Sequence, residues 1–484
     1  MRKSLVIQIL STVVVAFQAS ITGTTMSWPS VTVDIFKSNS TVLHRPMTLL
    51  EISLFGSLIN VGGLVTAPFC GTIFNKLGRK YGCVFFGMPF LLGWAIISIT
   101  SDVTMVLIAM ALSGIGAGGQ AVSTIFIVEL AEDSVRGGLT ACAGTGYFFG
   151  ILLCYIIGGY FSYRTMVLIQ LSMSVLSIAL FMTLKESPVY LALIGKYEEA
   201  AKSLAFYRWA DVSSKEIQTE LAKIIREARD DPSLDDLLLQ DKESQPAAAA
   251  LLEENTQKST GKKTQDSFIS QLKFLYNSRS SKMALFVASS LVLMSIMMGS
   301  LAVQVYAEPL FKSAVPSLPP NMCAIFLAIL FLITSLLCVS LVDRCGRKML
   351  IIVSSLGSGL CTLLLGTQLQ LGWAPHWFSA LQIYAYSFAY TLGAAVVPFI
   401  IMSEVFLPEV RGLCNSIVTL IQWSMNFISL MLFEMLQPLV GPGPIFYAFS
   451  VVCFSSALFT WRLLPETKGL SVDQIQLAFL KGNK

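Results

Sequence analysis

Phe74-Asn75-Lys76-Leu77-Gly78-Arg79-Lys80 and Val342-Asp343-Arg344-Cys345-Gly346-Arg347-Lys348 share a Gly-Arg-Lys triplet, 268 residues apart. Each stretch follows a long apolar run and opens another. Two further pairs sit at nearly the same separation. Glu129 and Arg136-Gly137 match Glu404 and Arg411-Gly412, with seven residues from Glu to Arg in both and an offset of 275. Glu186-Ser187-Pro188 matches Pro465-Glu466-Thr467, with the two Glu 280 residues apart. Three motif pairs at nearly constant offset divide the chain into two related halves.

The apolar runs between these motifs are long enough to cross a bilayer, which takes about 20 residues. Twelve are expected, at 5–27, 49–73, 83–100, 103–128, 138–159, 163–184, 284–307, 321–342, 350–371, 378–402, 413–437 and 444–464. A polar stretch, 185–282, separates six from six. The chain therefore reads as 1–184, an N-terminal six-helix half; 185–282, a cytoplasmic linker; 283–464, a C-terminal six-helix half; and 465–484, a cytoplasmic tail. Composition agrees. Of 484 residues 13% are charged, against about 25% in soluble domains. Such a chain could not cover a soluble surface, which excludes a soluble enzyme, a disordered protein and a nucleic-acid binder. Two histidines, His44 and His376, leave little scope for a histidine metal site, and no cofactor is expected. The first run reaches Trp28, too far for a signal peptide cleaved near Ala16-Phe17-Gln18-Ala19.

Lysine and arginine orient the spans. With both termini cytoplasmic, only Lys37, Arg45, Arg164 and Lys312 fall in outer loops. Asn39-Ser40-Thr41, the one glycosylation sequon, lies on that outer side, making Asn39 the candidate glycosylation site. The ten cysteines lie in or beside apolar runs and read as buried thiols. Gly114-Ile115-Gly116-Ala117-Gly118-Gly119 lies inside a span and reads as close helix packing.

Two parallel repeats about an axis along the membrane normal imply a solute cavity between the halves. Arg79, Glu129, Arg136, Glu186, Asp343, Arg347, Glu404, Arg411 and Glu466 all fall at cytoplasmic span ends. Topology needs no acids there, so these charges read as a cytoplasmic gate. Cross-half ion pairs among them would hold the inner mouth shut while the outer mouth is open.

On these motifs the chain resembles, over essentially its whole length, the sugar porter family of the major facilitator superfamily. Met47-Thr48 and Glu51 are similar to insect facilitated trehalose and hexose transporters. The resemblance implies the major facilitator fold and a small cytoplasmic helical bundle in 185–282 bracing the two halves. It implies facilitated movement of a sugar, a trehalose, hexose or related polyol, by alternating access in the plasma membrane. The expected partners are that solute and the lipid bilayer; no obligatory protein partner is evident. It also implies substrate contacts at Tyr306 on the seventh span and at Gln422, Trp423 and Asn426 on the eleventh, with Gln304 as a replacement amide. Elsewhere the family's polar site positions are rewritten, to Ser295, Ile296, Leu301, Gly144, Ala109 and Phe399. Proton-linked members carry an Asp where this chain has Thr22, which favours passive transport. A proton symporter, an organic-ion transporter of the same superfamily and a non-transporting sensor remain alternatives. Within the linker, 231–266 reads as a polar segment with an Ala run at 247–250.

Overall fold

A computed structural model describes residues 3–132, 134–229, 267–407, 410–470 and 472–481. The expected linker segment 231–266 lies outside the described residues. Among the described residues, twelve helices are long and apolar enough to cross a membrane: Lys3–Lys37, Leu49–Thr66, Arg79–Ile99, Val103–Leu130, Arg136–Tyr160, Tyr163–Thr183, Arg279–Val305, Pro320–Val342, Arg347–Leu371, His376–Met402, Arg411–Val440 and Pro442–Leu463. They are numbered below as spans one to twelve.

Span one runs ten residues past its expected end at 27, with Pro29 inside the helix. Proline removes one helix bond, and packed neighbours make that tolerable within a membrane protein. Trp28, beside the proline, and Val33, one turn on, are fully buried. Span two ends earlier than expected, at Thr66. Pro68 cannot donate the next helix bond, and the chain restarts as a separate helix, Cys70–Leu77. A capping box starts span two: Thr48 accepts from the Glu51 N–H and Glu51 returns to the Thr48 N–H.

Glycines let the spans touch backbone to backbone. A Cβ at Gly114 would lie 2.0 Å from the Ile59 carbonyl, and one at Gly62 2.1 Å from the Ala111 carbonyl, so spans two and four cross in direct contact. Gly146 and Gly150 do the same for spans one and five, against Ala16 and Ser20. All ten thiols are free, seven of them buried, with Cys142 and Cys345 exposed.

Three spans are broken. Span four divides at Gly119, which lies against Phe86. Span ten divides after Leu392 and restarts at Val397 with Pro398 in its first turn. Span seven divides between Met297 and Ser300. There Gly299 takes φ +90° and lies so close to Phe449 that a Cβ would fall 2.2 Å from its ring. Two span-ten tyrosines hold the frayed backbone. Tyr386 Oη donates to the Met298 carbonyl at 2.7 Å and Tyr390 Oη to the Ser295 carbonyl at 3.2 Å.

The helices Pro188–Leu193, Tyr197–Arg208 and Lys215–Arg229, between spans six and seven, form a small bundle around Leu191, Ala200, Leu204, Ile217 and Leu221. Two bonds tie this bundle to the N-terminal half. Arg208 donates to the Leu130 carbonyl at 2.8 Å, and Gln8 Nε2 reaches the Tyr207 carbonyl. Helix Val472–Lys481 docks on the other half, Gln476 donating to the Val405 carbonyl at 2.6 Å.

Replacing Gly299 by Ala combines a left-handed backbone with overpacking against Phe449, a cost of about 2–4 kcal/mol. Gly372 also has positive φ, +61°, but nothing lies within 4 Å of its Cβ position. Gly372→Ala is therefore expected to lower the unfolding temperature much less in detergent; equal losses would contradict the packing explanation.

Candidate functional site

The inner ends of the two halves carry the same constellation. In the N-terminal half, Gly78 at φ +87° turns the chain directly into span three. The Glu186 carboxylate then accepts from the Arg79 and Lys80 N–H groups, each at 2.9 Å, and from the Ser187 N–H at 2.8 Å. An acid on these orphan donors complements the helix N-terminus. The Arg79 guanidinium pairs with Glu129 at 2.8 Å, both side chains being about nine-tenths buried. Ser187 Oγ donates to the same Glu129. In the C-terminal half, Gly346 at φ +85° opens span nine. Glu466 accepts from the Arg347 N–H at 2.9 Å and the Lys348 N–H at 3.1 Å. Arg347 pairs with Glu404 at 3.0 Å, and Thr467 Oγ1 donates to Glu404 at 2.7 Å. Burial raises the Glu186 carboxyl above its ordinary range, while the three N–H donors and Arg79 pull it back.

These pairs differ from the expected cross-half gate in one respect: each closes within its own half. Glu129 and Glu404 take the arginine of the Gly-Arg-Lys motif, Arg79 and Arg347. Arg136 starts span five, and Arg411 starts span eleven with its guanidinium 3.4 Å from the Phe406 carbonyl. Asp343 lies in the last turn of the helix ending at Cys345, and its side chain is outside what the structure describes.

Polar contacts between the halves gather at the outer end. Lys37 of span one pairs with Glu434 of span eleven at 2.6 Å. Lys312, on the outer helix Ala307–Ala314, pairs with Asp34 of span one. The Glu308 N–H donates to Ser30 Oγ at 2.9 Å. Asn321 donates to the Tyr155 carbonyl at 2.8 Å, and Tyr155 Oη to the Gln304 carbonyl at 2.5 Å. Span five meets span eight closely there, a Cβ at Gly159 falling 2.1 Å from Asn321. The outer mouth is closed by this seam. Sequence reasoning missed it, having read Lys37 and Lys312 only as outer-loop charges.

Behind the seam lie the residues expected to meet solute. Tyr306 is 1% exposed, stacks on Phe433 at 5.7 Å and presses its hydroxyl against Gly56 of span two. Trp423 bears on the same span two turns inward, where a Cβ at Gly63 would lie 2.6 Å from its ring. It joins an apolar group with Ile21, Met26, Ile59, Phe90 and Ala117. Gln304 accepts from Tyr147 Oη at 3.3 Å and donates to Ser300 Oγ at 3.2 Å. Asn426 is buried one turn outward of Trp423, and Gln422 is half-buried. Tyr306 and Trp423 thus meet span two, and Gln304 meets span five. At a rewritten position, Ser295 donates to the Ala394 carbonyl at 2.6 Å, which commits it to holding span ten. Asn39 is exposed in the turn after span one.

Arg79→Ala would leave Glu129 charged, buried and short of its arginine, a loss of about 3 kcal/mol. Thermal unfolding in detergent checks this, and an unchanged midpoint would contradict the clamp. The seam also carries a pH dependence. Burial, helped by the Asp34 charge and opposed by Lys312, pushes the Glu308 carboxyl up to about 6. Opening the seam returns Glu308 to water and to an ordinary value of about 4.3. The closed seam then binds the proton more tightly, so acid favours closure. Lowering the outer pH from about 7.5 to about 5.5 should shift the balance toward the closed seam about fourfold. Spin-label distances between Ser40 and Ser317 would read the shift; no change, or opening in acid, would contradict it.

The pattern of the family described as "Sugar (and other) transporter" matches residues 5–272 and 237–479. The chain is 26% identical over 481 residues to the sugar transporter ERD6-like 2 of Arabidopsis thaliana, covering 98% of this chain and 94% of that protein. It is 24% identical over 480 residues to the facilitated trehalose transporter Tret1 of Culex quinquefasciatus, covering 97% and 85%. Among solved structures it resembles the inward-open xylose transporter XylE of E. coli, with 20% identity, coverage of 96% and 98% and a TM-score of 0.74. The last likeness carries the fold, two six-helix halves of the major facilitator type. The chain belongs to the sugar (and other) transporter family.

Proposed function

We propose that this chain moves a sugar across the plasma membrane by facilitated diffusion, with both termini in the cytoplasm. The observation that carries this reading is the placement of Gln304, Tyr306, Gln422, Trp423 and Asn426 behind a closed outer seam. A sugar ring has an apolar face and a hydroxyl rim. Trp423 stacks the face, and the amides pair hydroxyls that would each cost about 1–3 kcal/mol if left unmatched on desolvation. Relatives whose names specify sugar or trehalose transport support the same solute class.

Alternating access then needs two barriers. The outer one is the seam, closed here. The inner one is built on the two rigid clamps, with Arg136, Asp343 and Arg411 beside them as gate charges that meet when the inner ends approach. The passive reading rests on the acids within the spans. Asp34, Glu51, Glu129 and Glu434 are each held by a cation, Lys312, Arg45, Arg79 and Lys37. Thr22, where an acid would couple protons, is a buried hydroxyl.

Tracer uptake of glucose, fructose, trehalose and a polyol, with and without an uncoupler, tests the proposal. Saturable uptake of one of them that ignores the uncoupler is expected; uptake abolished by the uncoupler would overturn passive transport. For the transported sugar, Trp423→Ala should raise KM about tenfold, the worth of a desolvated ring contact of about 1.4 kcal/mol. Unchanged kinetics would remove Trp423 from the site.

A further inference from the structure

The outer seam holds two ion pairs of opposite sense on one turn of span one. Asp34 reaches Lys312, and Lys37 reaches Glu434, both on the other half. Asp34 and Lys37 are themselves three residues apart on one helix, and Glu308 and Lys312 are four apart on another. Both spacings bring side chains together, and in both the acid precedes the base, the favourable order along a helix. We propose that the seam is a charge-exchange latch, in which opening the outer mouth lets Asp34 pair with Lys37 and Lys312 pair with Glu308.

The side chains are placed for such an exchange. Asp34, Lys37 and Lys312 are 47%, 42% and 62% exposed, so each can swing without first being uncovered. Glu308 contributes its backbone N–H to the closed seam, at Ser30, which leaves its carboxylate beside Lys312. Three of the four charges that leave a cross-half pair, Asp34, Lys37 and Lys312, therefore find a partner within their own helix. Glu434 is the exception. It is 6% exposed, covered by the closed seam, and its bond to Lys37 exists only in that state. The exchange lowers the cost of opening, while Glu434 supplies the bias toward closure. Neither function requires the transported solute, so the latch stands or falls separately from the substrate assignment.

Two acid-to-amide changes at one seam then act in opposite directions, and a charge swap at Lys37 and Glu434, which keeps the closed pair, separates the exchange from a static lock. The reporter is Ser53→Cys, fully buried one turn outward of Gly56, labelled by an impermeant thiol reagent added outside intact cells. The exposed native thiols, Cys142 and Cys345, sit at the opposite ends of their spans, out of reach of the reagent. Glu308→Gln removes the open-state pair and also a charge that burial and Asp34 disfavour in the closed seam, so it should slow labelling by more than the roughly twofold of the pair alone. Glu434→Gln removes only the closed-state pair and should speed labelling up to about fivefold. Labelling that is unchanged by Glu308→Gln, or that moves the same way in both variants, overturns the latch. If Glu434→Gln does not reach the surface, Lys37→Glu combined with Glu434→Lys keeps the cross-half pair but sets two acids three residues apart on span one. Labelling slower than in the parent chain is then expected, and labelling at or above the parent rate overturns the proposal.

Discussion

One carboxylate at the end of each half holds the start of another span in the same half. Glu186 caps the helix that begins at Arg79, and Glu466 caps the one that begins at Arg347. The cap needs a sharp turn immediately before it, which Gly78 and Gly346 supply at φ +87° and +85°. It also needs the arginine head turned away from the capped N–H groups, and Glu129 and Glu404 draw it aside. Ser187 and Thr467 then satisfy the second oxygen of those acids. Remove the arginine or the acid of either pair and a charge is left buried without its partner.

This clamp makes the inner end of each half a rigid unit. A unit tied to itself cannot also be permanently tied to its neighbour, and the polar contacts between halves gather at the outer end instead. The combination of firm halves and a breakable seam is what a rocking transporter requires. Between clamp and seam, Tyr306 and Trp423 reach across to span two only because Gly56 and Gly63 leave room for them. The proposed solute site is therefore built from both halves and changes shape when they move.

Much of this was legible in the sequence, for a physical reason. A buried charge needs a partner, so an acid that recurs at a fixed distance from a recurring Gly-Arg-Lys announces a network. Which charge meets which was not legible. Cross-half pairs were expected, but Glu129 ends span four where span three begins, and Arg79 of the same half reaches it. Span one passed its expected end because Pro29 is buried among neighbours, a tertiary effect no local rule detects. The seam was overlooked for a different reason. Lys37 and Lys312 stand 275 residues apart and Asp34 and Glu308 274, within the offset of the repeat motifs, but the two lysines were counted only as topology charges; Glu434 alone has no such counterpart. The acid-before-base spacing at the outer end of each half was the available signal.

The most direct measurement is a set of spin-label distances in the full chain, with Cys142 and Cys345 replaced by Ser, recorded with and without a transported sugar. Lys76 and Lys185 lie on the inner face of one half, Lys76 and Arg344 on the inner faces of both, and Ser40 and Ser317 across the outer seam. Rigid halves rocking about the solute predict a single unchanged distance for Lys76–Lys185. They also predict that Lys76–Arg344 shortens whenever Ser40–Ser317 lengthens. A within-half distance that shifts as much as the others, or two cross-half distances that move in the same sense, would contradict rocking of clamped halves.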